Sequence, residues 1–404
     1  MLNNRFAPAL FLSRVCRKRV ATARRRRPSS TDINHSALAN RRVTRVISTF
    51  RQALAEDGPI VAGLVAVWLC LLLLLASQGV SGLRPSAYAA NLLLYLITLC
   101  VMAVFIFVGL LFRARPKSPI RFLLGLIASG DWIAVVARGL PMLAAVVVLM
   151  PAFSAMKSSI PLFNAYGWDH TWVAMDRAIH GTDPWRLLQP VLGFPIVTSL
   201  LSVAYHAWLF LVYAGSIYFC FLAKDRELRA RYFIGYFAIW TVVGVAMAIG
   251  FASVGPCFLA PVFGDHRFDQ QMAYLRMANE HYPVFVLAVQ DQLLAWHQQG
   301  NHGLATGISA MPSMHVSMAL LFALSISKVS KVSRVAGACA WIFVGTIFVA
   351  SVHLAYHYAV DGYVAAAATL AIWALAKPLA QVATRAPKQP SEQLQPTPTR
   401  PATT

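Results

Sequence analysis

Eight separate runs of mostly apolar residues constrain this chain more than any other feature of its sequence. They lie near residues 60–77, 90–112, 139–156, 197–222, 232–254, 312–327, 335–352 and 358–376. A helix that crosses a bilayer needs about 20 such residues. Only 12% of the 404 residues are charged, about half the share found in soluble domains. The sequence therefore predicts an all-α polytopic membrane protein with about eight transmembrane helices.

The runs and the segments between them predict four regions. Residues 1–59 are strongly basic, so we expect a disordered cytoplasmic tail that contacts anionic lipid headgroups. Residues 60–138 hold two accessory helices and a connector, and residues 139–377 form a six-helix membrane domain. Residues 378–404 are expected to form a second disordered tail. No nucleic-acid-reading motif accompanies the basic tail, so no nucleic-acid partner is expected.

Basic residues between the runs predict the orientation, because cytoplasmic loops carry the excess of Lys and Arg. The basic segments are the amino-terminal tail, residues 113–117, 224–231 and 328–334, and the tail from Lys377. With eight spans, all of them fall on one side. We therefore expect both termini in the cytoplasm and residues 157–196, 255–311 and 353–357 on the opposite face. The expected location is a bacterial inner or cell membrane.

Residues 158–195 interrupt the pattern, because they mix tryptophans and prolines with three aspartates. This composition is typical of helices that lie at the membrane surface. We expect Asp169, Asp176 and Asp183 to cap such helices or to be solvated there.

Two short motifs stand at the starts of the sixth and eighth runs, on the same predicted face. Residues 311–315 read Met-Pro-Ser-Met-His, and residues 357–361 read His-Tyr-Ala-Val-Asp. His357 and Asp361 are four residues apart, so on a helix they share a face and the carboxylate can orient the imidazole. The second nitrogen of that ring would remain free to attack a phosphorus atom.

The first motif supplies the complementary groups. His315 follows Pro312 and Ser313 at a predicted helix start, where backbone N–H groups can hold phosphate oxygens. An imidazolium at His315 can protonate the departing oxygen. The two motifs together predict phosphoryl transfer with a nucleophile, an orienting carboxylate and a general acid, placed at the non-cytoplasmic mouth of the bundle.

Phosphate also needs cationic partners. Lys157, at the non-cytoplasmic end of the third run, is the best placed, and Arg177 is second. His353 stands four residues before His357, and substrate contact and interface packing are equally good interpretations of it. No cluster has the spacing of metal ligands, and this chemistry requires neither a metal nor another cofactor.

These residues resemble the type-2 phosphatidic acid phosphatase superfamily, which includes lipid phosphate phosphatases and inositol phosphorylceramide synthases. The phosphatase branch has Pro-Ser-Gly-His where Met314 replaces the glycine here, and residues 310–315 look more like the inositolphosphotransferase branch. Further similarity to that branch lies in Gly255, Pro256, Cys257, Asp176, Arg177, Gly181 and Pro184. The resemblance implies a six-span core formed by the third to eighth spans. It also implies His357 as nucleophile with Asp361 behind it, and His315 as acid.

The chain departs from the phosphatase pattern at two places. Ser351 stands where phosphatases usually carry a phosphate-binding arginine. The first motif of the phosphatases, a lysine followed by Arg-Pro seven and eight residues later, is absent, because Asn164 and Ala165 occupy those positions after Lys157.

Three classes of function fit the sequence. A lipid phosphotransferase would move a phosphate or phospho-headgroup from a membrane lipid to an alcohol such as inositol, and a lipid phosphate phosphatase would use water instead. The long segment 255–311 could hold an acceptor, which favours transfer. A transporter or scaffold is the third class, but the polar residues gather at one mouth and no inverted repeat is evident.

Overall fold

The computed structural model describes residues 32–301, 306–329 and 334–384. Over these residues the secondary structure is helical. The helices are α1 (Asp32–Ser77), α2 (Pro85–Ala114), α3 (Pro119–Ser129), α4 (Asp131–Ser158), α5 (Ile160–Phe163), α6 (Asp169–His180), α7 (Pro184–Leu192), α8 (Pro195–Phe221), α9 (Arg226–Gly250), α10 (Pro256–Phe263), α11 (Asp269–His281), α12 (Phe285–Gln298), α13 (Met314–Ile326), α14 (Arg334–His353) and α15 (Ala359–Thr384).

Seven of the described helices are long and apolar enough to cross a membrane, namely α1, α2, α4, α8, α9, α14 and α15. Their outward faces carry large apolar side chains; on α2, for example, Phe105 is 71% exposed and Phe112 is 76% exposed. Exposed apolar side chains are expected on helices whose outward faces contact lipid. The prediction of an all-α polytopic membrane protein is confirmed.

The sixth predicted span, residues 312–327, is a shorter element than the others. Helix α13 has 13 residues and is about 20 Å long, which is less than the hydrocarbon thickness of about 30 Å. A non-helical segment leads into it, and in this segment Ala310 N–H donates to the carbonyl of Ser253 (3.0 Å). His315 lies in the first turn of α13.

The helices extend beyond the predicted runs at both ends of the chain. Helix α1 begins at Asp32, so residues 32–59 are helical and not disordered, and α15 continues to Thr384, so residues 378–384 are helical too. Alanine and leucine occur in both extensions, and these residues favour helix even where the chain is no longer apolar. The remainder of the two predicted tails, residues 1–31 and 385–404, lies outside the described residues.

Six helices form the centre of the bundle: α4, α8, α9, α13, α14 and α15. Helix α1 packs along α4, and a buried ion pair between Asp57 and Arg229 joins it to α9. Helix α2 packs on α4 and α8. Helix α9 contains a π-helical stretch, Ile239–Met247, of the kind that often occurs at functional sites.

The short helices α5–α7 and α10–α12 form an outer layer at one end of the bundle. Gln271 of α11 donates its side-chain amide to the carbonyl of Val352 (2.8 Å), and Cys257 N–H donates to the carbonyl of Ala355 (2.9 Å). These bonds attach the outer layer to the connection between α14 and α15. The second motif thus lies beneath the outer layer and not at an open surface.

Candidate active site

A tight turn between α14 and α15 carries the second motif. The carbonyl of Ser351 accepts hydrogen bonds from the N–H groups of Tyr356 and His357, both at 3.1 Å. The predicted break between the seventh and eighth runs, at residues 353–357, is confirmed as this turn. Gly255 packs against it with a φ of 92°, and a Cβ there would lie 2.6 Å from the carbonyl oxygen of Tyr356. Only glycine fits this position, because both the backbone conformation and the space exclude a side chain.

His357 and Asp361 are paired, but not because they share a helical face. His357 precedes α15, and Asp361 is the third residue of that helix. The Asp361 carboxylate accepts from the backbone N–H of Tyr358 (3.1 Å), as the third residue of a helix does in a capping box. The same oxygen lies 3.2 Å from Nδ1 of His357. The Nε2 atom of His357 is therefore the ring nitrogen available for chemistry.

Two buried aspartates of α6 hold this turn from the other side. Asp176 accepts from the N–H groups of Ala359 and Val360, both at 2.9 Å, and so satisfies the first turn of α15. Asp169 accepts from the Tyr358 hydroxyl (2.8 Å) and from the N–H of Gly255 (2.9 Å).

Burial raises the pKa of both carboxyl groups, although the hydrogen bonds that they accept act in the opposite direction. The prediction that these aspartates cap the surface helices or are solvated there is wrong for Asp169 and Asp176, because both are buried and Asp176 binds the first turn of the membrane-spanning helix α15. Residues seven apart lie on one face of a helix, which lets both aspartates contact the same turn.

The first motif meets the second through its backbone. Ser313 is buried, its N–H donates to the carbonyl of Asp361 (3.2 Å), and its hydroxyl caps α13 by accepting from Val316 N–H (3.4 Å). The His315 ring is thereby placed with its centroid 5.9 Å from that of His357. It lies between the rings of Tyr205 and Trp208, at 4.2 and 4.1 Å between centroids. These two aromatic residues of α8 were not predicted as part of the site.

One cavity of about 310 Å³ joins the predicted groups. His315, His357 and Lys157 all line it. Among the lining residues that the structure describes, Lys157 is the only lysine or arginine. Its position is set by Gly307, which packs so closely on α4 that a Cβ would lie 2.6 Å from the carbonyl carbon of Lys157. The arrangement places two imidazole rings and one lysine side chain around a shared space.

Two predicted phosphate-binding residues lie elsewhere. Arg177 is half exposed and forms a two-bond pair with Asp183 (2.7 and 3.1 Å) at the carboxyl end of α6. Burial alone would raise the pKa of Asp183, but Arg177 and Arg186 outweigh that effect, and the pKa is lowered. His353 is buried, and its Nε2 atom lies 2.9 Å from the hydroxyl of Thr198. The structure brings neither Arg177 nor His353 to the cavity.

The fold and the site together define an integral membrane protein in which two histidines and a carboxylate meet at one internal cavity. The PAP2 superfamily model matches residues 170–375, just over half of the chain, and the chain belongs to this superfamily. It is therefore a phosphatase- or phosphotransferase-type enzyme of lipid phosphates. No curated protein and no solved structure gives a significant match. The matched segment includes His315, His357 and Asp361 but begins after Lys157.

Proposed function

We propose that the protein transfers a phosphate or phospho-headgroup from a membrane lipid to an acceptor through a covalent intermediate on His357. The observation that carries the proposal is the His357–Asp361 pair (Nδ1 to Oδ2, 3.2 Å) facing the His315 ring within one cavity. The carboxylate fixes the tautomer and stabilises the charge that His357 acquires. A second histidine on the far side of the same space can exchange a proton with the leaving and entering oxygens.

The reaction has two balanced steps. In the first, Nε2 of His357 forms a bond to phosphorus, the bond from phosphorus to the lipid oxygen breaks, and the His315 imidazolium gives its proton to that oxygen. In the second, neutral His315 removes a proton from the acceptor hydroxyl, whose oxygen attacks phosphorus and releases His357. Lys157 faces the same cavity and would neutralise phosphate charge in both steps.

The acceptor distinguishes the two forms of this function. Water gives a lipid phosphate phosphatase, and inositol or another polar alcohol gives a transferase. Helix α12 of the outer layer contributes Val289 and Leu293 to the wall of the cavity. A site covered in this way limits the access of bulk water, which favours transfer to a bound alcohol.

The charges at the two ends of the bundle support one orientation of the site. Arg226 of α9 pairs with Glu56 of α1 (3.2 Å), and Gln381 of α15 bonds Glu227 (3.3 Å), all at the end remote from the outer layer. The basic connections gather at that end. We therefore propose that it faces the cytoplasm and that the catalytic residues open to the non-cytoplasmic side.

The proposal is tested with purified protein and labelled lipid phosphates, assayed with and without inositol. We expect turnover to be abolished in His357→Ala and to be near normal in His281→Ala, which removes an exposed histidine of α11. Product linked to inositol would identify a transferase, and free phosphate alone would identify a phosphatase. Near-normal turnover by His357→Ala would contradict both forms.

A further inference from the structure

The cavity continues well beyond the two histidines. On α4 it is lined by Lys157, Ser154, Phe153 and Met150, which follow one face of the helix. Seven residues of helix correspond to about 10 Å, so the cavity descends by that distance into the bundle. Its lining changes over this depth from the charged and imidazole groups near Lys157 to apolar side chains near Met150.

The deep end of the cavity includes a residue of an accessory helix. Leu94 of α2 lines it together with Met150, Tyr213 and Trp240. Helix α2 lies outside residues 170–375, the part of the chain that matches the superfamily model. The wall at this depth is therefore formed partly by a helix outside the segment that defines the superfamily.

Hydrogen bonds one turn away fix the position of Leu94. The Asn91 side chain is fully buried, donates to the carbonyl of Val147 on α4 (2.8 Å) and accepts from the Tyr213 hydroxyl of α8 (2.7 Å). Tyr95, the next residue after Leu94, packs its ring edge-on against Tyr213 at 4.5 Å between centroids. Polar groups within a membrane are costly to separate from their partners. These contacts therefore fix the position of Leu94 relative to α4 and α8.

We propose that this deep end binds one acyl tail of the lipid phosphate and that Leu94 sets the tail length that fits. The inference rests on the proposed function, because the phosphate must lie at the histidines for its tail to reach Leu94. The apolar lining and its depth among membrane-spanning helices both suit a hydrocarbon chain. The volume of about 310 Å³ is at the lower end of the range for ligand pockets, which suits one chain.

This site would discriminate between lipid tails of different length by steric fit. A lipid tail is already in an apolar solvent, so entering the cavity brings little hydrophobic gain. A tail that is too long must instead displace packed side chains, and protein interiors resist this displacement. A change in tail length should consequently alter kcat/KM more than a change in the chemical nature of an apolar tail of the same length.

The test uses full-length protein and a series of monoalkyl phosphates with short, medium and long tails. Leu94→Trp should lower kcat/KM for the longest tails by about tenfold and leave the shortest unchanged, and Leu94→Ala should favour longer tails. The matched control is Leu93→Trp on the same helix, because Leu93 is 57% exposed and faces away from the cavity. An equal loss for every tail length, or an unchanged profile in both Leu94 variants, would overturn the proposal.

A second measurement does not depend on turnover. A lipid phosphate with a photoreactive group at the end of its tail should label peptides around Leu94 and Met150 in the inactive His357→Ala protein. Labelling confined to lipid-facing positions such as Leu93 would overturn the tail site. Failure of the proposed function would appear differently, as turnover that survives His357→Ala.

Discussion

The carboxylate of Asp176 lies 2.9 Å from the backbone nitrogen of Val360, and in this way a helix of the outer layer holds the start of the helix that carries Asp361. The second Asp176 oxygen binds the N–H of Ala359 at the same distance. The position of the His357–Asp361 pair therefore depends on a residue that hydrogen-bonds to neither member of the pair. Asp176 is a positioning residue in this account.

Substitution of Asp176 should therefore reduce the rate of the chemical step. We expect Asp176→Ala to lower kcat about 10²-fold, because a small misplacement of a catalytic group has an effect of this order, with little change in KM. Asp176→Asn keeps one carbonyl acceptor and should retain more activity. Steady-state kinetics of both variants would test this expectation.

Asp265→Ala is the matched control for Asp176, since Asp265 pairs with Arg267 (2.7 Å) in the same outer layer and does not line the cavity. It should be near normal. An equal loss of kcat in the control, or a raised KM with unchanged kcat in Asp176→Ala, would show that Asp176 does not act by positioning.

The close contact between Gly307 and α4 predicts a loss of stability on substitution. Gly307→Ala places a Cβ 2.6 Å from the nitrogen of Ser158, and overpacking of this kind costs about 1–3 kcal/mol. Thermal unfolding in detergent should show a lower midpoint. Gly345→Ala on α14 is the control, because nothing lies within 4 Å of its Cβ, and its midpoint should be unchanged or higher. Equal midpoints for the two variants would contradict the close packing.

Activity should survive an excess of chelator. Histidine chemistry assisted by Lys157 requires no divalent ion, and among the described residues no group of three or more His, Cys, Asp or Glu side chains could hold a metal. The measurement is turnover before and after chelation. A loss that one particular metal restores would mean that the proposed roles of His315 and His357 are wrong.

Thiol labelling tests the proposed orientation. In a background without the six natural cysteines, Gln299→Cys at the end of α12 should react in intact cells with an impermeant reagent. Lys328→Cys, after α13, should react only once the membrane has been opened. Both positions are exposed, so accessibility within the protein does not distinguish them. The reverse pattern would place the catalytic residues on the cytoplasmic side.

The sequence was sufficient to predict the membrane helices, because length and hydropathy define a span. It also predicted that the two motifs meet, and His315 and His357 do line one cavity. It placed a full span at residues 312–327, but that run is nearly the same as α13 itself, whose 13 residues are too few to cross about 30 Å of hydrocarbon. It did not predict the roles of Asp169, Asp176, Tyr205 and Trp208. Those roles depend on contacts between distant segments. The sequence also suggested that Arg177 binds phosphate, but Asp183 already neutralises the charge of Arg177.

The central claim is that phosphate becomes bonded to His357, and the most direct measurement is to trap that bond. Protein incubated briefly with radiolabelled lipid phosphate and then denatured should carry a label that is stable in base and lost in acid, as a phosphorus–nitrogen bond is. Peptide mapping should place the label on His357. Asp361→Asn should slow its formation, and His357→Ala should carry none. A label on another residue, or turnover and labelling that persist in His357→Ala, would contradict the account.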